Sequence, residues 1–160
     1  MDLNDIVTLG DQRLYRISAK VTRQELPRLL PAIDAMHDLV LQFRANYGKG
    51  RAIAAPQIGL MKRIVCYQSD QPVTLINPEL SEYSKEMIEL WDDCMSFPQL
   101  LVRVKRHKSC TLTFRDPDWA MHEWKLEDDL SELFQHEVDH LNGILATDRA
   151  IDQRAFRLVR

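Results

Sequence analysis

Two histidines four residues apart, His136 and His140, lie within Gln135-His136-Glu137-Val138-Asp139-His140. On a helix this spacing projects both imidazoles from one face, close enough to bind one metal ion, with Glu137 beside them in reach of a metal-bound water. That supplies two ligands and a base. Five histidines and 24 acidic residues in a chain of 160 can also fall this way on a solvated helix. However, His136 and His140 fall on a stripe with Leu133 and Leu141 and should face inward, where unligated imidazoles are expensive. A catalytic metal needs a third protein ligand and an open position. Cys94 is the best candidate, because it lies in the polar stretch Asp92-Asp93-Cys94-Met95-Ser96-Phe97-Pro98 beside Trp91. Cys66 and Cys110 alternate with apolar neighbours and read as inert core thiols. A thiolate and two neutral imidazoles on a divalent ion leave a net charge of about +1, which falls to zero when bound water becomes hydroxide. A third stretch, Gly50-Arg51-Ala52-Ile53-Ala54-Ala55-Pro56-Gln57-Ile58-Gly59, is either a tight packing loop or a place where backbone approaches a ligand closely.

These groups need elements to bring them together. Leu26, Leu29, Leu30, Ile33, Met36, Val40, Leu41 and Phe43 recur at steps of three and four and predict a long first helix over Gln24 to Phe43. Thr22, with Glu25 three residues later, marks its start, and Pro27 and Pro31 restrict its first turns. Ala52 to Gly59 reads as a loop. Arg63 to Tyr67 and Val73 to Ile76 read as strands, the second ended by Asn77-Pro78. Alternation at Leu101 to Val104, Cys110 to Phe114 and His122 to Leu126, with Asp116-Pro117-Asp118 as a turn, adds antiparallel strands. Asp128 or Asp129 is the candidate cap of a second helix that carries both histidines and stops at Asn142-Gly143. Strands between two segregated helices give an α+β class.

Length and composition bound the rest. A chain of 160 residues, 45% hydrophobic and 28% charged, predicts one folded domain over residues 1–160 and excludes disorder and collagen-like repeats. Twenty-one basic against 24 acidic residues give a net charge of -3, so no broad positive field exists for nucleic acid or an anionic membrane. No apolar run approaches the roughly 20 residues needed to span a bilayer. The opening MDLNDIVTLG has no basic cluster and reads as the start of the folded domain. Three scattered cysteines argue against a disulfide scaffold, so a reducing compartment, the cytoplasm, is expected.

In this order the three stretches resemble those of the peptide deformylases, metal-dependent hydrolases that remove the formyl group from the N-terminal methionine of new polypeptides. The resemblance extends from Thr8-Leu9-Gly10-Asp11-Gln12-Arg13-Leu14 through Leu75-Ile76-Asn77-Pro78-Glu79-Leu80 to Gly143. It implies mixed, mainly antiparallel sheets packed around a central helix that carries the histidine pair. It implies that Cys94, His136 and His140 hold one divalent metal, that Glu137 is the general acid/base, and that the Gln57 amide and the Met95 backbone N–H stabilise the oxyanion formed when metal-bound hydroxide attacks the formyl carbon. Ferrous iron is the ion the resemblance implies, although by affinity alone zinc would out-compete iron; nickel and cobalt are further candidates. The implied partner is an N-formylated peptide or nascent chain, with the ribosome as a further candidate. Its methionine would enter an apolar pocket whose candidate linings are Ala52, Ile53, Phe97, Leu100, Leu133 and His136, residues that otherwise read as ordinary core. Asp139, with Arg106 as partner, either orients a ligand or forms a surface ion pair worth about 0–1 kcal/mol.

The chain departs from the family pattern near the thiol. Asp92-Asp93 stands where the family has Glu-Gly, Met95 where it has Leu, and Ala52 where it has a second glycine. If Asp93 points at the site it adds negative charge near the metal and can favour a cationic substrate group; if it points to water it matters little. Two other functions therefore stay open: a divergent relative acting on another N-formyl or N-acyl substrate, and a non-catalytic metal- or peptide-binding protein. Retention of Glu137 and Gln57 argues against the second, since neither is needed merely to hold a metal. A blue-copper carrier would want a weak axial methionine and has no use for Glu137.

Overall fold

The computed structural model describes residues 1–159. Helix α1 (Leu26–Tyr47) begins after a turn in which Thr22 and Glu25 exchange the two hydrogen bonds of a capping box, at 3.1 and 3.3 Å. Pro27 occupies the first helical turn, where a missing N–H leaves no bond unmade. The buried stripe is Leu26, Ile33, Met36, Leu39, Val40 and Phe43. Leu30 and Leu41, expected on it, are 40% and 47% exposed.

Among the described residues eight strands form two sheets. β1 (Ala52–Ala54), β2 (Ile64–Gln68), β3 (Pro72–Ser81), β6 (Ser109–Arg115) and β7 (Met121–Glu127) make a five-stranded sheet in the order β1-β2-β3-β6-β7, while β4 (Met87–Asp92), β5 (Leu100–His107) and β8 (Phe156–Leu158) make a three-stranded one. Every ladder among the described residues is antiparallel, and the one parallel pairing is an isolated bridge between Ala19 and Lys62. The sheets are therefore antiparallel rather than mixed.

Three sequence expectations need correction. Ala52–Ala54 is a strand paired with Val65–Tyr67, not a loop; three apolar residues buried throughout give no alternation to read, and only Ala55–Ile58 turns, as a 3-10 helix. Asn77-Pro78 does not end β3 but shifts its register between Ile76 and Glu79, with Asn77 at φ 50° and its side-chain amide bonded to both Val21 N and O. Neither Asp128 nor Asp129 caps the second helix, α2 (Asp128–Leu141); Glu127 holds that position with no side-chain bond, and the two aspartates sit in the first turn, where negative charge complements the helix dipole.

The five-stranded sheet is buried on both faces at its β1-β2-β3 end, while β7 exposes one face. Ile64 and Cys66 of β2 turn toward α1 with Ile53 and Ile76, whereas Val65 turns to the other face with Leu75, Leu112 and Phe114. α2 lays Phe134 and Leu141 on that second face. Helix α2 also contacts β5 of the smaller sheet, so both sheets grip it. Its C-terminus is fixed by Arg63 Nη1 donating to Leu141 O at 3.1 Å and by Gly143, at φ 72°. A Cβ on Gly143 would lie 2.5 Å from the backbone oxygen of Tyr15. Gly143→Ala is therefore expected to destabilise the protein by about 2–5 kcal/mol, combining left-handed strain with a backbone clash; the urea midpoint measures it, and an unchanged midpoint would contradict the packing described.

Candidate metal centre

The histidine helix is seated before the histidines themselves come into play. Gln135 accepts from His107 N at 2.9 Å and donates to His107 O at 2.8 Å, and Ser131 Oγ donates to the same oxygen at 2.8 Å, so α2 is pinned to the end of β5. One turn of helix then sets His136 and His140 side by side, with their Nε2 atoms 3.1 Å apart. Cys94 arrives from the turn after β4, its Sγ 3.3 Å from His140 Nε2. All three donors are buried and lie within 4.8 Å of one another. Tetrahedral coordination at ordinary bond lengths requires about 3.3 Å between two nitrogens and about 3.6 Å between nitrogen and sulfur. The observed spacings are within a few tenths of an ångström of both, so the donor set fits one metal ion.

A chain of buried charges orients the cluster. Asp92 Oδ2 lies 2.9 Å from His136 Nδ1, which as donor leaves Nε2 the lone-pair nitrogen, and accepts from Arg106 Nη2 at 2.9 Å. Arg106 also reaches Asp139, which takes both Nε and Nη2 of Arg149. Arg106 and Asp139 are buried, which sets aside the reading of an ordinary surface pair. Burial pushes the Asp92 carboxyl up, but His136 and Arg106 outweigh it and hold it at about 2. For His136 burial likewise opposes the charge, and the Asp92 carboxylate overrides it and raises the imidazole well above its usual range. Burial and the neighbouring His136 push His140 well below that range. Glu137 is fully enclosed; burial, opposed by His136 and assisted by Asp92 and Glu132, lifts its carboxyl to about 7. Its Oε2 is buried without a hydrogen-bond partner.

Gln57 borders the same cavity as this carboxylate and is 1% exposed. Its Oε1 accepts from Ala54 N at 2.9 Å, which aims its Nε2 at Ser96 Oγ, 3.1 Å away, and at Cys94 Sγ, 3.5 Å away. The Met95 backbone N–H follows directly on Cys94 and has no acceptor among the described residues. Cys94, His136, Glu137, Gln57 and Met95 all border one cavity of about 70 Å³. Cys66 and Cys110 lie elsewhere in the core, and burial raises both thiols.

The model of the polypeptide deformylase family matches residues 3–156. The chain belongs to that family. Among curated deformylases, that of Brachyspira hyodysenteriae is 30% identical over 99% of this chain and 86% of its own length. The crystal structure of the Thermotoga maritima deformylase superposes with a TM-score of 0.82 at 32% identity, covering 92% of this chain and 97% of that one. A class I type b deformylase from Acinetobacter baumannii, solved with Met-Ala-Ser bound, gives 0.81 at 31% identity over 90% and 96%.

Against the expectations for a deformylase pocket, the cavity wall differs. Ala52, Leu133 and His136 border it, but Ile53, Phe97 and Leu100 do not. Side chains alternate along β1, so Ile53 turns to the α1 core, opposite Ala52. Phe97 and Leu100 pack instead with Val102 and Val104 of β5. Asp93 is half-exposed at the rim, with Lys49 Nζ 3.3 Å away. Arg51 and Glu132 also line the wall and had no role in the sequence reading. Glu132 carried a signal, since it precedes His136 by one helical turn and shares its face.

Proposed function

We propose that this chain, acting as one catalytic domain over residues 1–160, is a metal-dependent amide hydrolase that removes the formyl group from N-formylated peptides. The convergence of Cys94, His136 and His140 beside the unpartnered Glu137 carboxylate supports the reading. Those three residues would hold the ion, iron(II) in the cell, with zinc, nickel or cobalt able to replace it. When bound, the ion supplies Lewis acidity toward the formyl carbonyl and toward water. Asp92 holds the His136 ring in place through Nδ1. Glu137 takes the proton of the attacking water and delivers it to the departing amine. Gln57 Nε2 and the Met95 N–H donate to the oxygen on which negative charge develops.

An extended peptide has places to pair. Among the described residues β1 pairs only with β2 and β4 only with β5, leaving one free edge on each, and Ala52 of the first and Leu90, Trp91 and Asp92 of the second border the cavity. The relative that binds Met-Ala-Ser supports a peptide occupant. The nascent chain at the ribosome, in the cytoplasm, is the proposed source of substrate; among the described residues no helix is long and apolar enough to cross a membrane.

Anaerobic purification with metal analysis, followed on the same sample by formate release from a panel of formyl tripeptides, tests the reading. Absence of formate from every peptide at full metal occupancy would refute it. Gln57→Ala is expected to lower kcat about 10²- to 10³-fold while metal content stays the same. Unchanged turnover in that variant would remove Gln57 from the chemistry.

A further inference from the structure

The cavity beside the three metal donors carries an ion pair in its wall. Arg51 Nη2 donates to Glu132 Oε1 at 2.6 Å, and Arg51 Nη1 reaches Asp129 Oδ2 at 3.1 Å. The Glu132 side chain is only 12% exposed, and that of Arg51 is 40% exposed, so the pair lies at the mouth with its acidic end inside. The apolar side chains on the wall are Ala52, Leu90, Trp91, Met95 and Leu133, against the charged Arg51, Asp92, Asp93, Glu132 and Glu137. At about 70 Å³ the space is small against the roughly 300–1,000 Å³ of ordinary ligand pockets, and a single side chain is the occupant it fits.

A peptide paired with a strand edge points alternate side chains to opposite faces, and one of these must enter the space next to the reacting group. A thioether there would displace water from the guanidinium and the carboxylate without replacing its hydrogen bonds, which is unfavourable. A primary amide of similar length replaces them both ways, its N–H₂ donating to Glu132 and its carbonyl accepting from Arg51. We propose that the Arg51–Glu132 pair makes this a polar specificity pocket, which prefers glutamine or asparagine over methionine at the residue bearing the formyl group.

The proposal rests on the deformylation reading above and goes beyond it: the preferred substrate is a formylated peptide that begins with an amide side chain, and a nascent chain, which begins with methionine, is the poorer one. The test compares kcat/KM of the metal-loaded protein for formyl-Gln-Ala-Ser and formyl-Met-Ala-Ser, two substrates of matched length. The glutamine peptide is expected to be preferred about tenfold or more, the penalty of stripping water from a partly buried charged pair without replacing its hydrogen bonds. In the double variant Arg51→Leu, Glu132→Leu the ratio is expected to reverse. If formate is released but the methionine peptide is equal or better, the polar-pocket assignment is overturned while the hydrolase reading stands. If neither peptide releases formate at full metal occupancy, the hydrolase reading fails and the assignment falls with it. The wild-type ratio decides the matter even if the double variant does not fold.

Discussion

Glu137→Ala leaves a folded, metal-loaded protein whose kcat for formate release falls about 10²- to 10⁴-fold, the contribution of a positioned general acid/base. Among the described residues the Glu137 carboxylate has no hydrogen-bond partner at Oε2 to lose. Its Oε2 makes no hydrogen bond in the buried site, and burial already opposes its ionisation. Removing such a group relieves a desolvation penalty, so the variant should be at least as stable as the parent in urea. Activity and stability then move in opposite directions, a pattern a purely structural carboxylate cannot give. Glu137→Gln keeps the shape of the side chain and removes its basicity, and is expected to be equally inactive. Retained turnover in either variant would exclude Glu137 as the proton carrier.

Cys94→Ser is expected to lose metal before it loses fold. The hydroxyl is a poor ligand at neutral pH, whereas a thiolate is a strong one, and the two imidazoles alone leave the ion with two protein donors. Loss of an outer partner alone costs about 10- to 100-fold in metal affinity, and loss of a donor should exceed that. Metal content after dialysis against a weak chelator measures the effect, with activity falling in proportion. Cys66→Ser is the control: its thiol is equally buried, in the cluster with Ile33, Ile64 and Ile76, and is not one of the three converging donors, so stability should fall while metal content holds. Equal metal retention in the two variants would show that Cys94 is not a ligand.

Much of this site is visible in the chain itself. A four-residue spacing on a helix is a local property, so the pairing of His136 with His140 follows from backbone geometry once the apolar stripe of α2 predicts a helix. The polar surroundings of Cys94 singled it out in the same way, from neighbours in sequence. β5 and β7 were readable because one period of two residues separates core from the opposite face, and β6 because its apolar and threonine residues alternate along the chain although Thr111 is buried too. β1, β4 and β8 were not. β1 is buried throughout and β8 exposed throughout, and neither pattern has a period.

The sequence by itself singled out the candidate metal donors, the acid/base candidate and the helix that carries most of them, because spacing within one helix pairs the histidines and local polarity marks the thiol. Only the tertiary structure decided what faces them. It brought β1 and β4 edge-on to the same cavity, turned Ile53 away into the α1 core, and joined Arg51 to Glu132 across 81 residues of chain. Which face of a fully buried strand meets a ligand is set by the layer packed against each side, and an ion pair between distant segments is set by where two sheets grip one helix. Neither leaves a periodic trace along the chain.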